Sequence, residues 1–306
     1  MVSPRVKVGR LPLRRWTLGR MALALVIVVG APWAGAVAWG GEKPIVLDPS
    51  YKHDRWGTRP RDLMHSYQAY TVSFDSDDDD DGDKLPDRWA VPHWVAYEVK
   101  AFAGKLGKGP KRPGWFTEET LFSKGIAPSD ASYAYSKALK PSFPFDRGHM
   151  CAKFTAYRMG PDADWNTHTV LNACPQQATL NQGIWQKLER KVDAWADKYG
   201  SVWVICGPIL NNRKPSTWLG QPGEVPVAIP DAFFKIIIRK SGDSNRPEVL
   251  AFIFPNIKTE PKAVDFEKHL KSVNTIEEQT GLDFLRILPP STEELIEAKK
   301  ANELWE

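Results

Sequence analysis

The sequence predicts an α+β fold, and three observations predict it. Four apolar segments read as strands: HWVAYEVKAF at 93–102, SVWVICGPIL at 201–210, AFFKIIIRK at 232–240 and EVLAFIFPN at 248–256. Between Asn181 and Gly200 the apolar residues Ile184, Trp185, Leu188, Val192 and Trp195 recur at helical spacing. The C-terminal part is helical again, around 263–279 and after Ser291, where Ser291 and Glu294 form a capping box.

Taken in order, the chain opens with a targeting segment. Residues 1–20 hold Arg5, Lys7, Arg10, Arg14, Arg15 and Arg20 and no acid. The short apolar run MALALVIVVG and small-residue sites such as Ala34-Gly35-Ala36 follow, which is the pattern of a secretory signal peptide over 1–38. The apolar run is about half the roughly 20 residues a membrane span needs. Export to the periplasm or medium is therefore expected, with no stable membrane association once the segment is cleaved. The whole chain carries a formal charge of +4, and setting aside those six basic residues leaves −2.

Residues 39–88 read as a leader and linker. Within them seven aspartates, Asp75, Asp77 to Asp81 and Asp83, are packed into nine residues, beside a mildly basic remainder of the chain. A basic body is compatible with a polyanionic partner without establishing one. The compact domain is expected over 89–306. HWVAYEVKAF alternates around Trp94, Ala96, Tyr97 and Val99, AGKLGKGPKRPGW is a Gly/Pro/Lys loop, and Thr169 to Ala173 is a short strand that Pro175 ends. The three cysteines, Cys151, Cys174 and Cys206, show no C-x-x-C spacing, so a zinc site is not expected.

DRGHMCAK at 146–153 crowds a carboxylate, a guanidinium, a glycine and an imidazole together. Cleaving a phosphodiester at neutral pH needs a base for water, charge stabilisation on phosphorus and stabilisation of the leaving oxygen. Histidine suits the first task, arginine's planar fork the second, and a hard cation on oxygen ligands the third. His149 and Arg147 answer the first two. In LNQGIWQKLE, Asn181 offers a neutral carbonyl oxygen and Glu189 lies two turns further along the same side of a helix. Asn181 could bind Mg²⁺ directly while Glu189 orders one of its waters.

DRGH, then LNACPQ, then LNQGIWQKLE, with the later VWVICGPIL, VAIPDAFFKIII and FIFPN, resembles the DNA/RNA non-specific endonuclease family, the sugar-non-specific nucleases that include endonuclease G. The resemblance runs from about Trp94 to Leu288. It implies a mixed or antiparallel sheet core carrying a ββα-metal finger. It implies His149 as general base, Asn181 as the ligand for Mg²⁺ (or Mn²⁺), Glu189 acting on the metal's water, and Arg147 as a phosphate contact. Asn172 and Gln176 match polar substrate-side positions, and Arg112 in KRPGW approximates a further family arginine. DNA and RNA are the implied substrates, with 5′-phosphate ends, and a homodimer stays open. The rival is a non-catalytic envelope protein binding nucleic acid or calcium on a nuclease scaffold, against which the intact set His149, Asn181 and Glu189 argues.

DDDDGDKLPDRWA also resembles short bacterial calcium loops, with Asp79, Asp81, Asp83 and Asp87 on ligand positions for Ca²⁺. Lys84 and Ala90 depart from that pattern, and a solvated acidic linker or a nucleic-acid mimic are the competing readings. His168 and His269 carry no motif and are expected to be structural or surface residues.

Overall fold

The computed structural model describes residues 37–40, 43–77, 88–133, 145–211, 217–220, 223–242, 246–258 and 264–306. The segments 1–36 and 78–87, which hold the expected signal peptide up to residue 36 and the expected calcium-loop positions Asp79, Asp81, Asp83 and Asp87, lie outside them.

Thirteen strands are described: β1 Val37–Gly40, β2 Lys43–Val46, β3 Leu63–Ser66, β4 Thr71–Phe74, β5 Pro92–Lys100, β6 Phe145–His149, β7 Ala173–Gln177, β8 Ser201–Ile209, β9 Trp218–Leu219, β10 Val227–Ala228, β11 Ala232–Lys240, β12 Pro247–Pro255 and β13 Leu270–Lys271. Seven form one sheet in the order β13-β12-β11-β8-β5-β4-β3, every pairing antiparallel. The four long strands fall where the sequence places them.

Their burial differs from the alternation expected for 93–102. Every residue of β5 is buried except Lys100. The reason is that both faces of the sheet are covered. On one face Val95, Tyr97, Val204 and Ile237 pack with Leu188, Val192 and Trp195 of the long helix Gln186–Tyr199. On the other, Trp94, Ala96, Ile205 and Ile236 pack with Val273, Ile276 and Phe284 of the C-terminal region. A strand buried on both sides must be apolar at both parities, which the run Ile236-Ile237-Ile238 meets.

The leader reading of 39–88 is corrected over its described part. β3 and β4 complete the sheet edge against β5, and Tyr67, Tyr70, Val72 and Phe74 are 0% exposed in the same core as the long helix. Each strand is only four residues long, so its periodicity is too short to stand out from a polar segment; pairing with β5 creates it.

Two further corrections are local. Pro175 does not end a strand at 169–173: a 3₁₀ turn over Val170–Asn172 leads into β7, with Pro175 in its middle. β7 pairs only with β6, so the missing N–H falls on an open edge. Asn256 ties this ribbon to the sheet, accepting from Gln177 N at 2.8 Å and donating to Pro175 O at 3.1 Å and Pro230 O at 2.8 Å. The last helix, Pro290–Glu297, begins before Ser291 and has no side-chain cap, so the capping box does not form; the preceding helix, Val273–Thr280, is capped by Ser272 and closed by Gly281 at φ 67°. Cys151, Cys174 and Cys206 are all buried and free.

Candidate active site

The DRGH segment is β6, held in register by β7: Gly148 lies opposite Cys174 and His149 opposite Ala173. Gly148 is required by space. A Cβ there would stand 2.2 Å from Gln176 Oε1 and 2.6 Å from Gln176 Cβ. Gln176 is thus a packing partner, 0% exposed. Asn172 is also 0% exposed, and its amide is consumed by main chain: Oδ1 accepts from Cys151 N at 2.8 Å, while Nδ2 donates to Cys151 O and Thr167 O, each at 3.0 Å. The expectation that Asn172 and Gln176 touch substrate is corrected on this ground. Both shape the turn that presents His149.

His149 lines a cleft of about 810 Å³, with Arg147, Asn181 and Glu189 among its walls. The His149 ring lies 4.6 Å from the Trp115 ring and 4.9 Å, edge-on, from that of His168. Burial pushes its pKa well below the ordinary value, and the nearby His168, Arg112 and Lys153 act in the same sense. A lowered pKa leaves the ring neutral at pH 7, the form that accepts a proton. Its Nε2 has no hydrogen-bond partner among the described residues.

Arg147 also faces the cleft, but its partner is Asp130, at 2.5 Å, and not its neighbour Asp146. Asp146 Oδ2 instead accepts from Asn181 Nδ2 at 3.0 Å and Gln182 Nε2 at 2.7 Å. That bond occupies the amide nitrogen of Asn181 and leaves its carbonyl oxygen as a ligand. Asn181 sits in a π-helical turn, Asn181–Trp185, interrupted at Gly183 (φ −103°, ψ −114°). The long helix follows and carries Glu189. Burial raises the Glu189 pKa to about 7; Lys235 opposes the rise and Asp193 adds to it. Lys235 is itself 0% exposed, its ammonium 3.8 Å from the centroid of Trp185.

The cleft's donors fit a hard cation. Asn181 and Glu189 offer oxygen only, and no cysteine lines the cleft, which suits Mg²⁺ or Mn²⁺ and not a structural zinc. Asp62, Asp75 and His93 form the one close group of three metal-type ligands among the described residues. None of them lines the cleft, and His93 Nε2 lies 2.7 Å from Asp62 Oδ2 as a histidine–carboxylate pair.

The cleft gathers residues that motif reading missed. Lys153, Phe154 and Arg190 line it, and Trp115 lies against His149. His168, expected to be structural or on the surface, is 0% exposed beside His149 and takes a hydrogen bond from Arg112 Nε at 3.3 Å. Arg112 does reach the cleft. Lys153 and Phe154 extend the DRGH run, so adjacency was their only signal. Trp115 and His168 have none in one sequence.

A two-stranded antiparallel ribbon presenting a histidine, followed by a helix with asparagine at its entry and glutamate two turns on, defines a ββα-metal nuclease fold. The family model described as DNA/RNA non-specific endonuclease matches residues 59–291, and the chain belongs to that family. It is 31% identical over 218 residues to a nuclease of Serratia marcescens, covering 68% of this chain and 73% of that one. It is 33% identical over 242 residues to nuclease C1 of Cunninghamella echinulata, covering 76% and 86%. A mitochondrial nuclease of Saccharomyces cerevisiae is 27% identical over 220 residues, with 65% of this chain and 62% of that protein covered. The match spans 52% of the mouse mitochondrial nuclease EXOG, about half its length. Among solved structures, the crystal structure of the EndoG/EndoGI complex, which concerns the mechanism of EndoG inhibition, superposes with TM-score 0.62 at 21% identity, covering 78% of this chain and 92% of that one.

Proposed function

We propose that the chain is an exported, Mg²⁺-dependent endonuclease that hydrolyses phosphodiester bonds in DNA and RNA without strong sequence preference. The observation that carries this reading is the convergence of His149, Asn181 and Glu189 in one cleft with Arg112, Lys153 and Arg190. His149, neutral near pH 7, takes a proton from a water that attacks phosphorus. The P–O3′ bond breaks and the departing O3′ oxygen takes a proton from solvent, leaving a 5′-phosphate and a 3′-hydroxyl. Arg147 and Arg112 meet the anionic oxygens with planar donors. Asn181 would hold Mg²⁺ or Mn²⁺, with Glu189 on its bound water, and the cation would offset charge on the leaving oxygen.

The test is incubation of the purified chain with supercoiled plasmid and with RNA, in Mg²⁺ or in EDTA. Degradation of both in Mg²⁺ and of neither in EDTA is expected. Binding without cleavage in Mg²⁺ and in Mn²⁺ would instead support the non-catalytic rival. The export part predicts a mature N-terminus between Val37 and Gly41, and N-terminal sequencing that finds Met1 intact refutes it.

A further inference from the structure

Behind one wall of the cleft, a buried histidine holds an exposed arginine that lines it. His168 is 0% exposed, and its Nδ1 lies 3.2 Å from the carbonyl oxygen of Asp164. A carbonyl only accepts, so Nδ1 carries the proton, as does the Thr167 hydroxyl that donates to the same oxygen at 2.7 Å. The neutral tautomer with its proton on Nδ1 has its lone pair on Nε2. Arg112 Nε donates to that Nε2 at 3.3 Å. A protonated ring would present N–H on both nitrogens and repel the guanidinium. Burial, and next the charge of Arg112, pull the His168 pKa to about 4, so the accepting form prevails at neutral pH.

Arg112 has no carboxylate partner among the described residues. The nearest candidate by position, the Asp164 carboxylate, is taken by Lys153 at 2.9 Å. With Nε engaged by a neutral acceptor, the guanidinium keeps its full charge and both Nη groups for an anion. A carboxylate in the place of His168 would hold the arginine equally well but cancel the charge a phosphate needs.

We propose that His168 is a positioning residue: through Nε2 it fixes Arg112 on the cleft wall so that both Nη groups meet a phosphate of the nucleic-acid substrate. The inference rests on the nuclease reading of this cleft and adds to it a residue outside the DRGH and LNQGIWQKLE motifs.

Anisotropy of a labelled single-stranded oligonucleotide in EDTA measures binding without turnover. His168→Leu and His168→Asn, which put no acceptor at the Nε2 position, are expected to weaken binding about tenfold, the loss of one charge-assisted hydrogen bond. His168→Gln, which restores an acceptor there, stays within about threefold of wild type. In an Arg112→Ala background the same changes have no further effect. Equal losses with and without Arg112, or Asn and Gln behaving alike in variants with wild-type circular dichroism, would overturn the inference. If wild type cleaves plasmid and that coupling is missing, the nuclease reading stands and this one falls. Coupling in a chain that cleaves nothing means the reverse.

Discussion

Glu189 combines burial with a neighbourhood of mixed charge, and its pKa near 7 follows from the cost of desolvating a carboxylate. The sign of the consequence is fixed. A folded-state pKa raised above the ordinary glutamate value of 4.5 means that the native state holds the proton more tightly than the unfolded chain. Stability is unaffected where both are protonated and is lost as pH rises through about 7. Glu189→Gln is therefore expected to melt with wild type below about pH 4.5 and above it at pH 8, read as Tm against pH. A lower Tm for the variant at pH 8 would mean that the ionised carboxylate is a net stabiliser held by Lys235. Residues of this kind were legible only where the motif named them. His149 and Arg147 lie in β6, and Asn181 and Glu189 lie at a short, fixed spacing across the π turn and the long helix that follows it, whereas Trp115 reaches the cleft, and His168 the ring of His149, through tertiary packing.

Among the elements, the β6–β7 ribbon is the most tightly constrained. A Cβ at Gly148 meets the Gln176 amide at 2.2 Å and Gln176 Cβ at 2.6 Å. The amide can swing away, but the Cβ is anchored to β7. Gly148→Ala should thus lower stability by about 1–3 kcal/mol, the range of an overpacked core, with a fall in activity. Gln176→Ala in the same chain removes the first clash and not the second, so it should restore only part of the loss. A Gly148→Ala variant with wild-type Tm would show that the ribbon yields freely. The long helix was readable from its 3.6-residue repeat, but the π turn at its entry was not, because it depends on one backbone angle pair at Gly183.

Across the whole molecule, the sheet is a platform with two covered faces, and the two strands at one end of it, β3 and β4, come from a segment whose composition resembles a linker. The four central strands were visible as apolar runs because double-sided burial demands apolar residues at both parities. β3 and β4 were not, since four residues offer too little pattern and the burial of β4 comes with its pairing to β5. A fragment of residues 89–306 would leave the β5 edge open and remove Tyr67, Tyr70, Val72 and Phe74 from the core. It is expected to be insoluble or unfolded by circular dichroism, whereas a fragment from residue 43 folds. Cooperative folding of 89–306 would restore the linker reading. In the function proposed above, this platform brings Asn181 into one cleft with His149 to hold the hydrolytic cation. A Mg²⁺ titration of plasmid cleavage by Asn181→Ala, against wild type, tests it most directly. No cleavage is expected at Mg²⁺ concentrations that saturate wild type, with an unchanged melting temperature in EDTA. An unaltered Mg²⁺ dependence in that variant would contradict it.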